Sequence, residues 1–162
     1  MYKNLAAALA AAFVFFFSNH ASSQANSAQS NEPLKIGFVY VAPLLDAGWV
    51  KQHDEGRKAV EAALNRASQP VVKTTYVENV SEGADAERVI RDMATQGNKL
   101  IFGTTFGYME PMLKLAPEFK DVKFEHATGY KTGENMRTYD SRTYEGAYMR
   151  SEEHTSELQS HL

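Results

Sequence analysis

Trp49, the only tryptophan of the chain, stands at the end of a loop, Ala42–Gly48, that follows an apolar run. Phe106 stands in a second loop, Thr104–Tyr108, again after an apolar run, and is flanked by Thr105 and Gly107. An aromatic face that stacks on a planar ring gains roughly 1–3 kcal/mol. Trp49 and Phe106 are therefore the expected platforms for a flat ligand, and the alternative for Trp49 is a core aromatic under its loop. Asp46 lies in the first loop, where a carboxylate can accept from ring N–H, amine or hydroxyl groups. It could equally cap the helix that follows, because a helix N-terminus favours an acid. Thr105, Tyr108, Tyr130 and Asp140 complete the candidate set, each at a later strand end. A carboxylate at 140 offers acceptors only.

The residue types that would transform a ligand are not arranged to do so. No G-x-S-x-G elbow occurs, no G-x-G-x-x-G follows the first apolar run, and no Walker motif appears. His53 with Asp54 and Glu125 with His126 lack metal-ligand spacing, and His126 is expected in a structural hydrogen bond. No catalytic residue, metal or cofactor is expected. The net charge is -3 with no basic stripe, which gives nucleic acid no electrostatic footing as a partner. The charges of Glu82–Arg91 read as the solvated face of a helix. With no cysteine in the chain, neither a disulfide nor a lipid-modified N-terminal cysteine can form.

The elements that must position these loops alternate. Leu34–Val41 reads as a buried strand, and a helix is expected over Trp49–Arg66 with Trp49, Gly56, Val60, Ala63 and Leu64 on its inner face. Val71–Val77 is a second strand. Ser81 is the expected N-cap of a helix that buries Ala86, Val89, Ile90, Met93 and Ala94 and stops at Gly97. A strand at Leu100–Phe102, a helix over Glu110–Phe119, a strand at Val122–Phe124 and a short strand at Thr138–Tyr139 follow. A last helix should start at Arg142 and be interrupted after Met149. This order predicts an α/β fold, a Rossmann-like parallel sheet with helices on both faces.

The two ends differ from the rest. Lys3, the apolar run Leu5–Phe17 and the small residues to Ala25 have the layout of a secretory signal peptide, expected over residues 1–25. The run is shorter than the ~20 residues of a spanning helix. Residues 26–32 are expected to be a disordered leader and 33–149 a ligand-binding lobe. Arg150–Ser160, RSEEHTSELQS, matches the in-frame translation of a sequencing adapter, so residues 150–162 are expected to be an artefactual tail on a truncated chain.

Several long motifs carry a resemblance. KLIFGTTFGYMEP (Lys99–Pro111) and VKFEHATGYKT (Val122–Thr132) resemble the basic membrane protein (BMP) family of ABC-transporter solute receptors. The match runs through KIGFVYVAPLLDAGWVKQHDEGRKAVE, VENVSEGADAERVIRDMATQGNKLIF and ENMRTYDSRTYEGAYM, roughly Pro33 to Met149. It implies one lobe, the N-terminal one, of a two-lobed type I periplasmic-binding-protein fold. It implies a periplasmic receptor that delivers a purine base or nucleoside to a membrane permease, with loop aromatics such as Trp49 and Phe106 on the ligand. Asp140 stands where the family pattern leads one to expect asparagine. A sugar or other small polar metabolite is the alternative ligand. An exported α/β hydrolase acting on nucleosides, or a sensor that binds ligand and signals to a membrane partner, is the alternative class.

Overall fold

The computed structural model describes residues 32–66 and 70–160, with side chains through Ser151. The proposed signal segment thus lies outside the described residues. In chain order the elements are β1 (Leu34–Val39), α1 (Trp49–Leu64), β2 (Val72–Val77), α2 (Ala84–Thr95), β3 (Leu100–Gly103), α3 (Met109–Leu115), β4 (Lys123–Ala127), β5 (Met136–Tyr139) and α4 (Thr143–Ser160). A 3-10 turn, Phe106–Tyr108, leads into α3. The five strands form one sheet in the order β2-β1-β3-β4-β5, and every pairing is parallel. The α/β class and parallel sheet expected from the sequence are present.

Right-handed crossovers decide which helix covers which face. The chain moves one way from β1 to β2 and the other way through β3 and β4, so α1 lies opposite α2 and α3. Strand β1 alternates accordingly. Ile36, Phe38 and Tyr40 pack with Val50 of α1 and Val72, whereas Val39 joins the larger core of α2 and α3. Gly37 and Gly103 leave room for Met93 and Met112, whose sulfurs would meet a Cβ at either position.

All five residues expected inside α2 are buried. The helix ends in a Schellman motif. Gly97, at φ 88°, donates its N–H to Ala94, and Asn98 donates to Met93. The other end departs from expectation. Gly83 is the N-cap and makes no side-chain cap, while Ser81 gives its backbone N–H to Asp85 at 3.3 Å. The acid at the second helical position, rather than the hydroxyl before the helix, satisfies the chain there.

Helix α1 is turned differently from its apolar pattern. Its buried residues are Val50, Asp54 and Arg57, while Trp49, Val60 and Leu64 are 38%, 46% and 49% exposed. A buried polar network sets this rotation. Arg57 donates to Asp54 Oδ1 through Nε at 2.8 Å and pairs with it through Nη2 at 2.7 Å. Lys58 reaches the other carboxylate oxygen at 2.7 Å. Arg57 also donates to the Thr74 hydroxyl at 2.8 Å and lies over the Tyr76 ring at 5.0 Å, which ties α1 to β2. Burial alone would raise the Asp54 carboxyl, but Lys58 and Arg57 overrule it and hold the group below its ordinary 3.8. Burial, with Asp54 beside it, pushes the Tyr40 hydroxyl up to about 12.

The apolar stripe of α1 then faces an open groove. Five strands at ~4.8 Å make a sheet roughly 20 Å wide, and a packed helix covers about 10 Å of it. Among the described residues two helices lie on the α2–α3 face and only α1 packs on the other. What is left is a cavity of about 710 Å³ lined by Phe38, Phe102, Trp49, Gly56, Val60 and Tyr139, among others.

Two further elements depart from expectation. Strand β4 runs on to Ala127 and takes His126 into the sheet. Helix α4 is not interrupted after Met149 but continues to Ser160, through a segment with neither glycine nor proline and with good helix formers in Glu, Leu and Gln. Its described side chains lie outside both cores, with Tyr144 and Met149 about two-thirds exposed (65% and 66%). Among the described residues no helix is long and apolar enough to cross a membrane.

Breaking a buried ion pair by removing one partner costs about 3–5 kcal/mol, and Asp54→Ala should lower stability by that amount at pH 7 in urea melts. A depressed carboxyl contributes stability above its unfolded value, and the contribution is lost as pH falls through the folded one. The gap between the two proteins should therefore close below pH ~4. Deleting residues 150–162 should leave the thermal midpoint of the lobe unchanged, because the described side chains of α4 pack against neither core.

Candidate ligand-binding site

Ligands of open α/β sheets bind beyond the carboxyl ends of the strands, where the strand order reverses. Here that point lies between β1 and β3. The loop after β1 leads to α1 on one face, and the loop after β3 leads to α3 on the other, so the two diverge and leave a crevice. Trp49 bridges it, donating its indole N–H to the Thr104 carbonyl at 2.5 Å. Thr104 is itself buried, with its hydroxyl on the Val39 carbonyl at 2.8 Å. The β1 loop is also tied to the β2 loop. Leu44 donates its N–H to Glu78 at 2.6 Å, and Asn79 donates to Ala42. Asn79 and Thr128 have φ values of 56° and 65° and both stand at strand ends. For a β-branched residue such as Thr128 this is a strained conformation. Strain of this kind gathers at functional loops.

The predicted residues fall into two clusters. In the first, Trp49 packs against His53 with ring centroids 4.6 Å apart, and His53 Nε2 meets the Tyr139 hydroxyl at 3.1 Å. Tyr139 and the exposed Asp140 close the mouth of the groove beside α1. Burial, with Glu125 next in effect, pushes the Tyr139 hydroxyl up, so it remains a donor. Asp140 accepts the Ser141 N–H at 2.7 Å.

In the second cluster Phe106 and Tyr130 form an exposed aromatic pair, with centroids 6.2 Å apart and planes at 38°. They are 53% and 72% exposed, which leaves ring face free at the rim. Fully buried His126 supports this pair from below, with Nε2 on the Thr105 carbonyl at 2.8 Å. Its Nδ1 has no partner among the described residues and sits against Gly129, where a Cβ would strike the ring. Burial holds the His126 pKa below its ordinary value and the ring neutral. The structural hydrogen bond expected of this histidine is thus present.

Trp49 and Phe106, expected as counterparts, each have a different ring neighbour. They are joined through the β3 loop, because Phe106 stands two residues beyond the carbonyl that Trp49 holds. Asp46 is exposed and makes no hydrogen bond or ion pair among the described residues. It does not cap α1, whose N-cap is Gly48 at φ 97°. Tyr108 does not belong at the rim. It is fully buried in the α2–α3 core and donates to the Val80 carbonyl at 2.6 Å. The 3-10 turn swings residue 108 inward while Phe106 stays outside.

Glu82 reaches the second cluster without having been singled out by its sequence pattern. Its carboxylate accepts from the Thr105 hydroxyl at 3.3 Å and lies against Gly107, where a Cβ would collide with it. The only hint in the sequence is a glycine directly after the rim aromatic.

Acids dominate the rim. Asp46, Glu78, Glu82 and Asp140 stand on its loops. The basic residues there are engaged, Lys131 by Glu110 and Arg142 by Glu145. No group of three or more potential metal ligands occurs among the described residues. The arrangement can stack a planar ring and accept its N–H and O–H donors, and its charge disfavours an anion.

Residues 34–150 match the Bmp family, described as ABC transporter substrate-binding protein PnrA-like. The chain belongs to that family of substrate-binding proteins. Over 123 residues it is 55% identical to a purine-binding protein of Brucella abortus (strain 2308), covering 76% of this chain and 34% of that relative. Over 118 residues it is 41% identical to TsgA13 of Haloferax volcanii, a putative ABC transporter glucose-binding protein, covering 73% of this chain and 29% of that one. The chain thus spans about a third of the length of these curated relatives. An ABC transporter solute-binding protein from Conexibacter woesei shares the fold at 21% identity and a TM-score of 0.58, covering 66% of this chain and 35% of that one. So does a protein of Bacillus halodurans described as a transcriptional activator of the comK gene, at 25% identity and a TM-score of 0.54 over 64% of this chain and 33% of that one.

A buried carbonyl left without its donor costs about 1–3 kcal/mol. Tyr108→Phe should therefore lower stability by about that amount and leave any ligand affinity within twofold, as measured by chemical denaturation and titration of the same variant.

Proposed function

We propose that this chain is the first of two lobes of a periplasmic receptor that hands a purine base or nucleoside to the permease of an ABC importer. Binding would draw on closure of the second lobe over the rim, and the closed state is favoured by the ligand's extra contacts there. The observation that carries the reading is the rim itself. Exposed aromatic faces and exposed carboxylates stand on the loops beyond the carboxyl ends of the strands. The similarity to a relative named for purine binding supports the ligand class. The acid-rich rim supports base or nucleoside over nucleotide. The protein is read as a receptor and not an enzyme. The signal-peptide layout read from residues 1–25 of the sequence supports the periplasmic location.

A sugar is the second reading. The Haloferax relative is named for glucose, and aromatic faces stack on sugar rings as well as on bases.

The test is calorimetry with adenine, adenosine, guanosine and a hexose, on a form extended to the length of the relatives. Purine should bind and the hexose should not. Trp49→Ala should weaken the purine by about 1–3 kcal/mol, the value of one stacking face. Binding of the hexose alone would reject the purine assignment, and turnover of any of the four would reject the receptor reading. The single lobe should bind far more weakly than the extended form, because half of the cleft is missing.

A further inference from the structure

We infer that Glu82 is a specificity-determining residue of this lobe, the acceptor that reads the exocyclic amine of an amino-purine stacked at Phe106. The inference rests on the purine reading above. It follows from how three residues of the β3 loop present this one carboxylate. Thr105 donates its hydroxyl to Glu82 Oε1 at 3.3 Å. Phe106 follows, exposed at the rim with Tyr130 beside it. Gly107 comes next, and the Glu82 carboxylate fills the volume that a side chain there would take. The acid is thereby brought from the β2–α2 loop to the β3 loop that bears Phe106, 23 residues away in sequence from its Thr105 partner.

Its charge is also uncommitted. Nearby acids are engaged: Glu87 pairs with Lys114 and Arg91, Glu110 with Lys131, Glu118 with Arg91, and Asp85 with Arg88. Glu82 has no cationic partner among the described residues; its one hydrogen bond is to Thr105. An ionised carboxylate can accept about four hydrogen bonds and donate none. With one acceptor position used, the exposed carboxylate has others open to donors from a ligand. A purine lying on Phe106 presents its donors at its edge, in the ring plane, and a residue next to the stacking platform is placed to meet that edge. An amino-purine supplies an N–H pair there, and a purine without the amine does not. A purine without the amine forgoes that hydrogen bond to a charged acceptor.

The test compares adenosine with purine riboside, which lacks the amine, on the 162-residue chain, with ligand raised to millimolar levels and binding read by NMR. Wild type should prefer adenosine by about tenfold or more, the range for a hydrogen bond to a charged group. Glu82→Ala should remove that preference by weakening adenosine alone. Gly107→Ala should do the same with the charge intact, because the new Cβ displaces the carboxylate. Gly107 does not have positive φ, so alanine is compatible with its backbone, and the dispersion of the amide spectrum checks that each variant is folded. Equal losses for both ligands would place Glu82 on the ribose and overturn the inference. Unchanged adenosine binding in both variants would overturn it while leaving the purine reading intact. A wild-type chain that binds glucose and neither nucleoside would overturn the purine reading itself.

Discussion

Chain handedness is the constraint on which the rest of this lobe depends. A right-twisted strand followed by a right-handed crossover returns to the sheet from one side only. With the strands ordered β2-β1-β3-β4-β5, the first crossover must lie on the face opposite to the next two. The loops that leave β1 and β3 therefore part, and the crevice between them needs no special sequence to open it. Its chemistry depends on which side chains those loops carry. Trp49 and Phe106 stand on the two diverging loops, and the Trp49–Thr104 hydrogen bond holds the loops in fixed relation.

The same constraint has a cost on the other face. One helix cannot cover it, and α1 is held there by a charged network beside the apolar contact of Val50. Asp54 and Arg57 are buried together and Val60, Leu64 and Trp49 of the same helix are partly exposed. A buried ion pair is weak evidence for net stability, but it fixes an orientation. Here it anchors α1 to Thr74 and Tyr76 of β2 and turns the apolar stripe toward the groove. The cavity of about 710 Å³ is consequently a groove along a sheet face, not the crevice at the strand ends. Trp49 belongs to both, since its ring lines the groove and its indole N–H reaches into the crevice.

Within the crevice, support and contact are divided among different residues. His126, Thr104 and Tyr108 are buried and hold backbone carbonyls of the loops or the core. Phe106, Tyr130, Asp46 and Glu82 are exposed and leave their faces and charges open at the rim. Two closely spaced residues of one short turn, Phe106 and Tyr108, take opposite parts, because a 3-10 turn points them in different directions.

What could be read from the amino acids alone was whatever is local. The five inner residues of α2 follow from a period of 3.6, the glycine stop at Gly97 from a conformation only glycine adopts freely, and the parallel sheet from apolar runs alternating with helical ones. The strand-end loops that bear the aromatics were legible for the same reason. Tertiary structure decided everything that depends on what packs against what. Periodicity shows that Trp49, Gly56 and Val60 share a face, not that this face is left open while Asp54 and Arg57 turn inward. Nothing local pairs Phe106 with Tyr130, buries Tyr108 under Val80, or brings Glu82 onto Gly107, because each contact joins loops that only the folded sheet sets side by side. A side chain's type states what it can bind, but its exposure and partners depend on neighbours distant in the chain, and those are set by the handedness and order of the strands.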